Sequence, residues 1–177
     1  MSNSKRTYYL PDNEALRIEK LKDYQILDTH SEDTFDKIAL MAAQIFGVEN
    51  AFITFVDEKR VFVKSNLSTL AVNEVPRENS LCSEAILNDA VTVFRDTLPH
   101  FKDNPFVAAE GGIRFYAAAP LKSPEGFNVG TICVADSQPQ DPTPVNLDML
   151  KTLSKIIIDK LENRLLYRKS IESQINL

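Results

Sequence analysis

The chain alternates between stretches whose apolar residues recur every three or four positions and short runs that are apolar almost throughout. The first helical pattern begins at Pro11-Asp12, with Asp12 placed to cap it and Leu16, Leu21, Tyr24 and Leu27 roughly on one side. A second follows Ser31 as its cap. Glu32 and Asp33 suit the positive end of the helix dipole, Phe35, Ile38, Ala42, Ile45 and Phe46 repeat at helical spacing, and Gly47 can stop it. The period then changes. Residues 51–56 (AFITFV) are too few for a stable helix and rich in β-branched and aromatic types, which predicts a buried strand. Asp57-Glu58-Lys59 predicts a turn and 60–65 (RVFVKS) the returning strand of a hairpin. Residues 66–79 are polar, include Pro76 and predict a loop. Ser80 can cap a short helix through about Asn88, 91–95 (VTVFR) predicts a strand, and 96–112 a long loop with a helical turn around Val107–Glu110. Irregular loops of that length are uncommon inside compact domains and are often functional.

Residues 113–136 hold two apolar runs around Ser123-Pro124-Glu125-Gly126, a second hairpin. Alternation puts Ile113, Phe115, Ala117, Ala119 and Leu121 on one face, and Arg114, Tyr116, Ala118 and Pro120 on the other. Three consecutive alanines stand where Val or Ile is expected, and they leave volume. Arg114 admits two readings: an ion pair with Asp96 or Glu110, or a cavity-lining role beside Tyr116. Burying it without a partner would cost several kcal/mol. Residues 137–144 (SQPQDPTP) form a linker, and Pro144 falls in the first turn of a final helix. Ile156, Ile157 and Ile158 cannot share one face of that helix. It is either deeply buried against the sheet or, given its length of over twenty residues, also covered by a partner subunit. The order of elements predicts an α+β layered domain around an antiparallel sheet of about five strands.

Length and composition narrow the class. The 177 residues fit one domain over 12–168, with a tail at 1–11 and a helical extension at 169–177. Apolar residues make up 44% and charged residues 25%, and the net charge is −5. The basic spots Lys5-Arg6, Lys59-Arg60 and Arg168-Lys169 are short and dispersed, which excludes a nucleic-acid footprint. The N-terminus lacks the apolar stretch of a signal peptide, and no run has the length of a membrane helix, so a cytoplasmic protein is expected. Cys82 and Cys133 are far apart in apolar segments and read as reduced core thiols, with a disulfide between them the lesser alternative. Walker, GxGxxG, HExxH and GxSxG patterns are absent. With only His30 and His100, a His/Cys metal site would need residues from distant segments. No catalytic set, cofactor site or metal site is expected.

Seven motifs in order over about residues 14–165 resemble the GAF domains found in bacterial sensor histidine kinases and diguanylate cyclases: RIEKLKDYQILDT, FDKIALMAAQIFGV, VDEKRVFVKS, VPRENSLCSEAI, VFRDTLPHFKDNPFV, IRFYAAAPL and VGTICVADSQP. The resemblance implies a profilin-like antiparallel sheet of five to six strands. Long N- and C-terminal helices would lie on one face, with short helices and loops over a small-molecule pocket on the other. It places Phe52, Thr54, Phe62, Cys82, Phe94, Asp96, Phe101, Asn104, Phe106, Arg114, Tyr116 and Cys133 at that pocket. It further implies a sensory or regulatory module without enzymatic activity, a homodimer through the terminal helices and a kinase or cyclase output outside this sequence. A dimer scaffold with a vestigial pocket is the alternative. Relatives commonly carry Trp-Phe where this chain has Phe62-Val63, and Gly where it has Ala118. Neither an NKFDE-type nucleotide signature nor a Cys-His bilin attachment pair is found, since Ser83 follows Cys82. The free methionine sulfoxide reductases share the fold, and Cys82 is similar in context to one of their cysteines. Their additional cysteine has no equivalent in 96–112, and a buried Cys133 would be inert.

Overall fold

The computed structural model describes residues 8–176. Residues 1–7 of the expected tail, with Lys5-Arg6, and Leu177 lie outside the described residues. The chain folds as α1 (Glu14–Asp23), α2 (Asp33–Phe46), β1 (Asn50–Val56), β2 (Arg60–Leu67), β3 (Glu74–Pro76), α3 (Leu81–Ala85), β4 (Thr92–Phe94), α4 (Pro105–Ala108), β5 (Phe115–Lys122), β6 (Asn128–Asp136) and α5 (Pro144–Ile175). The six strands form one antiparallel sheet in the order β3-β2-β1-β6-β5-β4. The α+β layered arrangement is the expected one.

Local chemistry sets most boundaries. Gly47 ends α2 at φ 64°, in the left-handed region that a side chain disfavours. Ser80 caps α3 by accepting the Cys82 N–H, and Thr143 caps α5 by accepting the Asn146 N–H. Two caps differ from expectation. Asn13 rather than Asp12 precedes α1, and Glu32 rather than Ser31 precedes α2, neither with a side-chain cap bond. The Glu32 carboxylate is instead engaged by Lys64 at 2.7 Å and Arg164 at 2.6 Å. The stretch 66–79 contains β3 and a 3-10 turn at Arg77–Asn79 as well as loop. A three-residue edge strand is too short to show the alternation that reveals longer ones.

The sheet has two unlike faces. Helices α1, α2 and α5 bury Ile18, Leu21, Phe35, Ile38, Leu150, Ile157 and Leu161 against Ile53, Phe55, Phe115, Ile132 and Val134. On the opposite face, Leu81, Cys82, Ala85 and Ile86 pack on Val56, Val61, Tyr116, Ala118 and Cys133. The three alanines of β5 divide between the faces: Ala117 and Ala119 lie on the side of α5, Ala118 on that of α3. Small side chains on both sides let helices settle closely on this strand. At Gly130, opposite Phe55, a Cβ would lie 1.9 Å from the Thr54 carbonyl oxygen. The β1–β6 pairing therefore requires glycine there.

Two arginines with no solvent exposure, Arg17 and Arg77, converge on one carboxylate. Glu14 takes Arg17 through Nε at 2.8 Å and Nη2 at 2.9 Å, and Arg77 through Nη1 at 2.5 Å. Arg17 also donates to the Val56 carbonyl at 2.6 Å, and Arg77 to the Asp57 carbonyl at 3.1 Å and the Ser83 hydroxyl at 3.3 Å. The cluster joins α1, the β1–β2 turn and α3. Burial alone pushes the Glu14 carboxyl up, yet the hydrogen bonds and charges of Arg17 and Arg77 together hold it down at about 2.

Glu14→Gln is expected to destabilise the fold by about 3–5 kcal/mol in urea denaturation, because it leaves two buried guanidinium groups without a counter-charge. In the wild type, the folded state binds the Glu14 proton less tightly than the unfolded chain does. Its contribution is then complete above about pH 4.5 and is lost as pH falls towards 2, a slope that Glu14→Gln should flatten. Gly130→Ala should also destabilise by several kcal/mol, since the clash is with backbone.

Candidate functional site

The face opposite the long helices carries a small, partly open apolar cavity of about 90 Å3. Its floor is sheet: Phe52 and Thr54 from β1, Val61 and Val63 from β2, Tyr116 from β5, Cys133 and Ala135 from β6. Its cover is Leu81 and Cys82 from α3 and Phe106 from α4, with Val72, Val75 and Ile113 at the sides. Alternation along each strand explains why these residues, and not their neighbours, face it.

The cover is held at several points. The Asn104 side chain accepts the Phe106 N–H at 2.9 Å and donates to the Asn79 carbonyl at 2.8 Å, which ties α4 to the turn ahead of α3. The Ile113 N–H donates to the Phe106 carbonyl at 2.8 Å, closing the long loop on itself. At the far end of α3, the Asn128 side-chain amide donates to the Ile86 carbonyl at 2.9 Å.

Polar groups in the cavity wall concentrate around one sulfur. Tyr116 Oη donates to Cys82 Sγ at 3.3 Å, Thr131 Oγ1 approaches it at 3.5 Å, and Thr131 shares a 2.8 Å hydrogen bond with Thr54. A hydrogen bond from the neighbouring Cys133 thiol, with others from Thr54, Tyr116 and Thr131, pulls the Cys82 thiol below its ordinary value against the effect of burial. The same pairing pushes the Cys133 thiol up, and burial pushes the Tyr116 phenol up. Cys82 is therefore the sulfur that ionises first.

Of the twelve residues proposed from the sequence, Phe52, Thr54, Cys82, Phe106, Tyr116 and Cys133 line this cavity, and the other six do not. Phe62 lies on the helix face. The Asp57–Lys59 turn pairs Phe55 with Phe62, and Phe55 points to the helices, so its partner does too. Val61 and Val63 take the wall positions instead. Arg114 and Asp96 form a two-pronged ion pair at 2.9 and 2.8 Å at the mouth of β5, partly in solvent. Phe94 and Phe101 pack edge to face at 4.9 Å behind the cavity wall. Asn104 holds the cover rather than the interior. Ala118 is fully buried beneath α3 and adds no wall. Sequence reasoning missed Thr131 and the valines of β2 and β3. Thr131 was legible as the partner of Thr54 only once the β1–β6 register was known.

A larger cleft of about 710 Å3 lies on the helix side, between the α1–α2 loop, α2 and the free edge of β2. Lys64 is buried within it, but its ammonium is already engaged by Glu32, by Thr29 Oγ1 at 2.9 Å and by the His30 carbonyl. The cleft is thus lined by groups already paired with one another, whereas the apolar pocket holds the two thiols.

Residues 30–158 match the family model of the GAF domain. The chain belongs to the GAF domain family. A cyclic di-GMP phosphodiesterase of Pseudomonas aeruginosa is 31% identical over 154 residues, which is 85% of this chain and 26% of that protein. The GAF chain therefore spans about a quarter of the length of this curated relative. Among solved structures, the GAF domain of an Acinetobacter phosphoenolpyruvate-protein phosphotransferase superposes with a TM-score of 0.64 at 16% identity, covering 87% of this chain and 95% of that one. A free methionine-R-sulfoxide reductase of Neisseria meningitidis gives 0.61 at 18%, covering 88% and 93%. A domain of a two-component sensor histidine kinase protein of Sinorhizobium meliloti gives 0.60 at 15%, covering 78% and 97%. At such identities these likenesses establish the fold alone.

Tyr116→Phe removes one donor to the Cys82 sulfur while keeping the ring. Thiolate absorbance titrated against pH should show Cys82 ionising at higher pH in this variant, with the fold intact by circular dichroism. An unchanged titration would mean that the tyrosine hydroxyl does not hold this sulfur.

Proposed function

We propose that the chain is a GAF sensory module that acts by binding, without catalytic turnover, and passes the state of its cavity to an output through its terminal helices. The observation carrying this reading is the small apolar pocket beside α3 and α4, on the face opposite the long helices. Its size and lining fit a small, largely apolar molecule oriented by the hydroxyls of Thr54 and Tyr116. That the chain aligns with a quarter of a cyclic di-GMP phosphodiesterase supports a regulatory segment working beside a separate output.

The final helix supports a homodimer. It runs for 32 residues, about 48 Å, and is largely exposed beyond Leu165. Val145, Met149, Ile156 and Tyr167 are all exposed, and at about 100° per residue they fall within about 40° of one another. This stripe lies apart from Leu150, Ile157 and Leu161, which face the sheet. The consecutive isoleucines divide accordingly, Ile156 outward and Ile157 and Ile158 inward. The small size of the cavity favours a second reading, a dimeric scaffold whose pocket no longer binds.

Two measurements test these readings. Thermal denaturation against a panel of small metabolites should find a compound that raises the midpoint by several degrees, with the gain lost in Ala135→Phe, which fills the cavity. A panel without effect supports the scaffold. Light scattering should give a dimer that Met149→Glu with Ile156→Glu converts to a monomer, and a monomeric wild type overturns the dimer.

A further inference from the structure

Two buried thiols from segments about fifty residues apart share one cavity wall and one set of hydroxyl donors. Cys82 comes from the cover, on α3, and Cys133 from the floor, on β6. The Tyr116 and Thr131 hydroxyls both reach the Cys82 sulfur, and Cys133 belongs to the same buried cluster as Cys82 and Tyr116. Binding of an apolar ligand gives no reason for two hydroxyl donors to converge on the Cys82 sulfur.

We propose that Cys82 and Cys133 form an oxidant-sensitive dithiol that a small hydroperoxide converts into a disulfide joining α3 to the sheet. Both sulfurs border this partly open pocket, through which a molecule as small as hydrogen peroxide reaches them. The Cys82 thiolate attacks one peroxide oxygen, the O–O bond breaks, and the departing hydroxide takes up a proton to leave as water. Cys82 is then a sulfenic acid. The Cys133 sulfur, losing its proton, attacks the Cys82 sulfur, the S–O bond breaks and a second water leaves. The two thiols supply the two electrons, and the peroxide is the oxidant. A protein thiol or other reductant of the dithiol class reverses the step.

The roles are unequal. Cys82 carries the hydroxyl donors that stabilise a thiolate, so it is the attacking sulfur, and Cys133 resolves the sulfenic acid. A disulfide has a sulfur–sulfur length near ~2.05 Å, so its formation draws α3 towards β6 across the cavity. Oxidation thus closes the space that an apolar ligand would enter. The proposal goes beyond ligand sensing and stands whether or not the cavity binds a metabolite.

The test uses the full chain, reduced and then exposed to hydrogen peroxide at about tenfold molar excess. Mass spectrometry should show loss of two hydrogens, a Cys82–Cys133 peptide link under non-reducing digestion, and recovery with dithiothreitol. Cys133→Ser should stop at a Cys82 sulfenic acid trapped by dimedone, and Cys82→Ser should leave Cys133 unoxidised. Two free thiols after treatment of the wild type overturn the proposal. So does oxidation of Cys133 at the same rate in Cys82→Ser. The wild-type mapping decides the matter even if a variant fails to fold.

Discussion

The carboxylate of Glu14 holds together the parts of the molecule that form the cavity. It is the one negative group shared by Arg17 and Arg77, and neither guanidinium reaches solvent. Through them α1 is fixed to the end of β1, to the β1–β2 turn and to Ser83 of α3. An isolated buried charge costs several kcal/mol, so any displacement of α3 that parts Arg77 from Glu14 is strongly opposed. The position of Cys82, one residue before Ser83, therefore follows from an ion cluster outside the cavity. Electrostatics fixes the cover, and apolar packing fills in beneath it.

The sheet then separates two tasks. One face carries nearly all of the large core and the helices α1, α2 and α5, which account for most of the burial. The other carries a smaller cluster that stops short of full packing and leaves the cavity. Strands β5 and β6 sit between the two, with Tyr116 and Cys133 towards the cavity and Phe115, Ala117 and Val134 towards the helices. The cavity and the helices α1 and α5 thus border the same two strands from opposite sides.

The layered fold was legible in the sequence because its long elements have strong periods: α2, the β1–β2 pair, the β5–β6 hairpin and α5 were all visible as patterns. Short elements were not, and β3 emerged only from pairing with Arg60–Phe62. The site was half legible. Strand alternation put Tyr116 on the correct side and the Ser80 cap placed Cys82, both local properties. Arg114 and Asp96 illustrate the limit: a charge in an apolar strand fits a ligand or an ion pair equally well until the rotation of the chain before the strand is known. Phe62 was misplaced because its side depends on the register set by the Asp57–Lys59 turn. Arg17 and Arg77 passed unnoticed since each meets its partner only in three dimensions. The same holds for the adjacency of Cys82 and Cys133, whose separation along the chain hides it.

The sharpest single test of a ligand cavity on the Cys82 face is xenon, which enters dry apolar cavities large enough to hold it. Nuclear magnetic resonance spectra recorded under xenon pressure should show the largest shifts at Val61, Val63, Val75 and Leu81, the residues that wall the cavity. Shifts confined to the cleft around Lys64 and Ser65, or none at all, would contradict it.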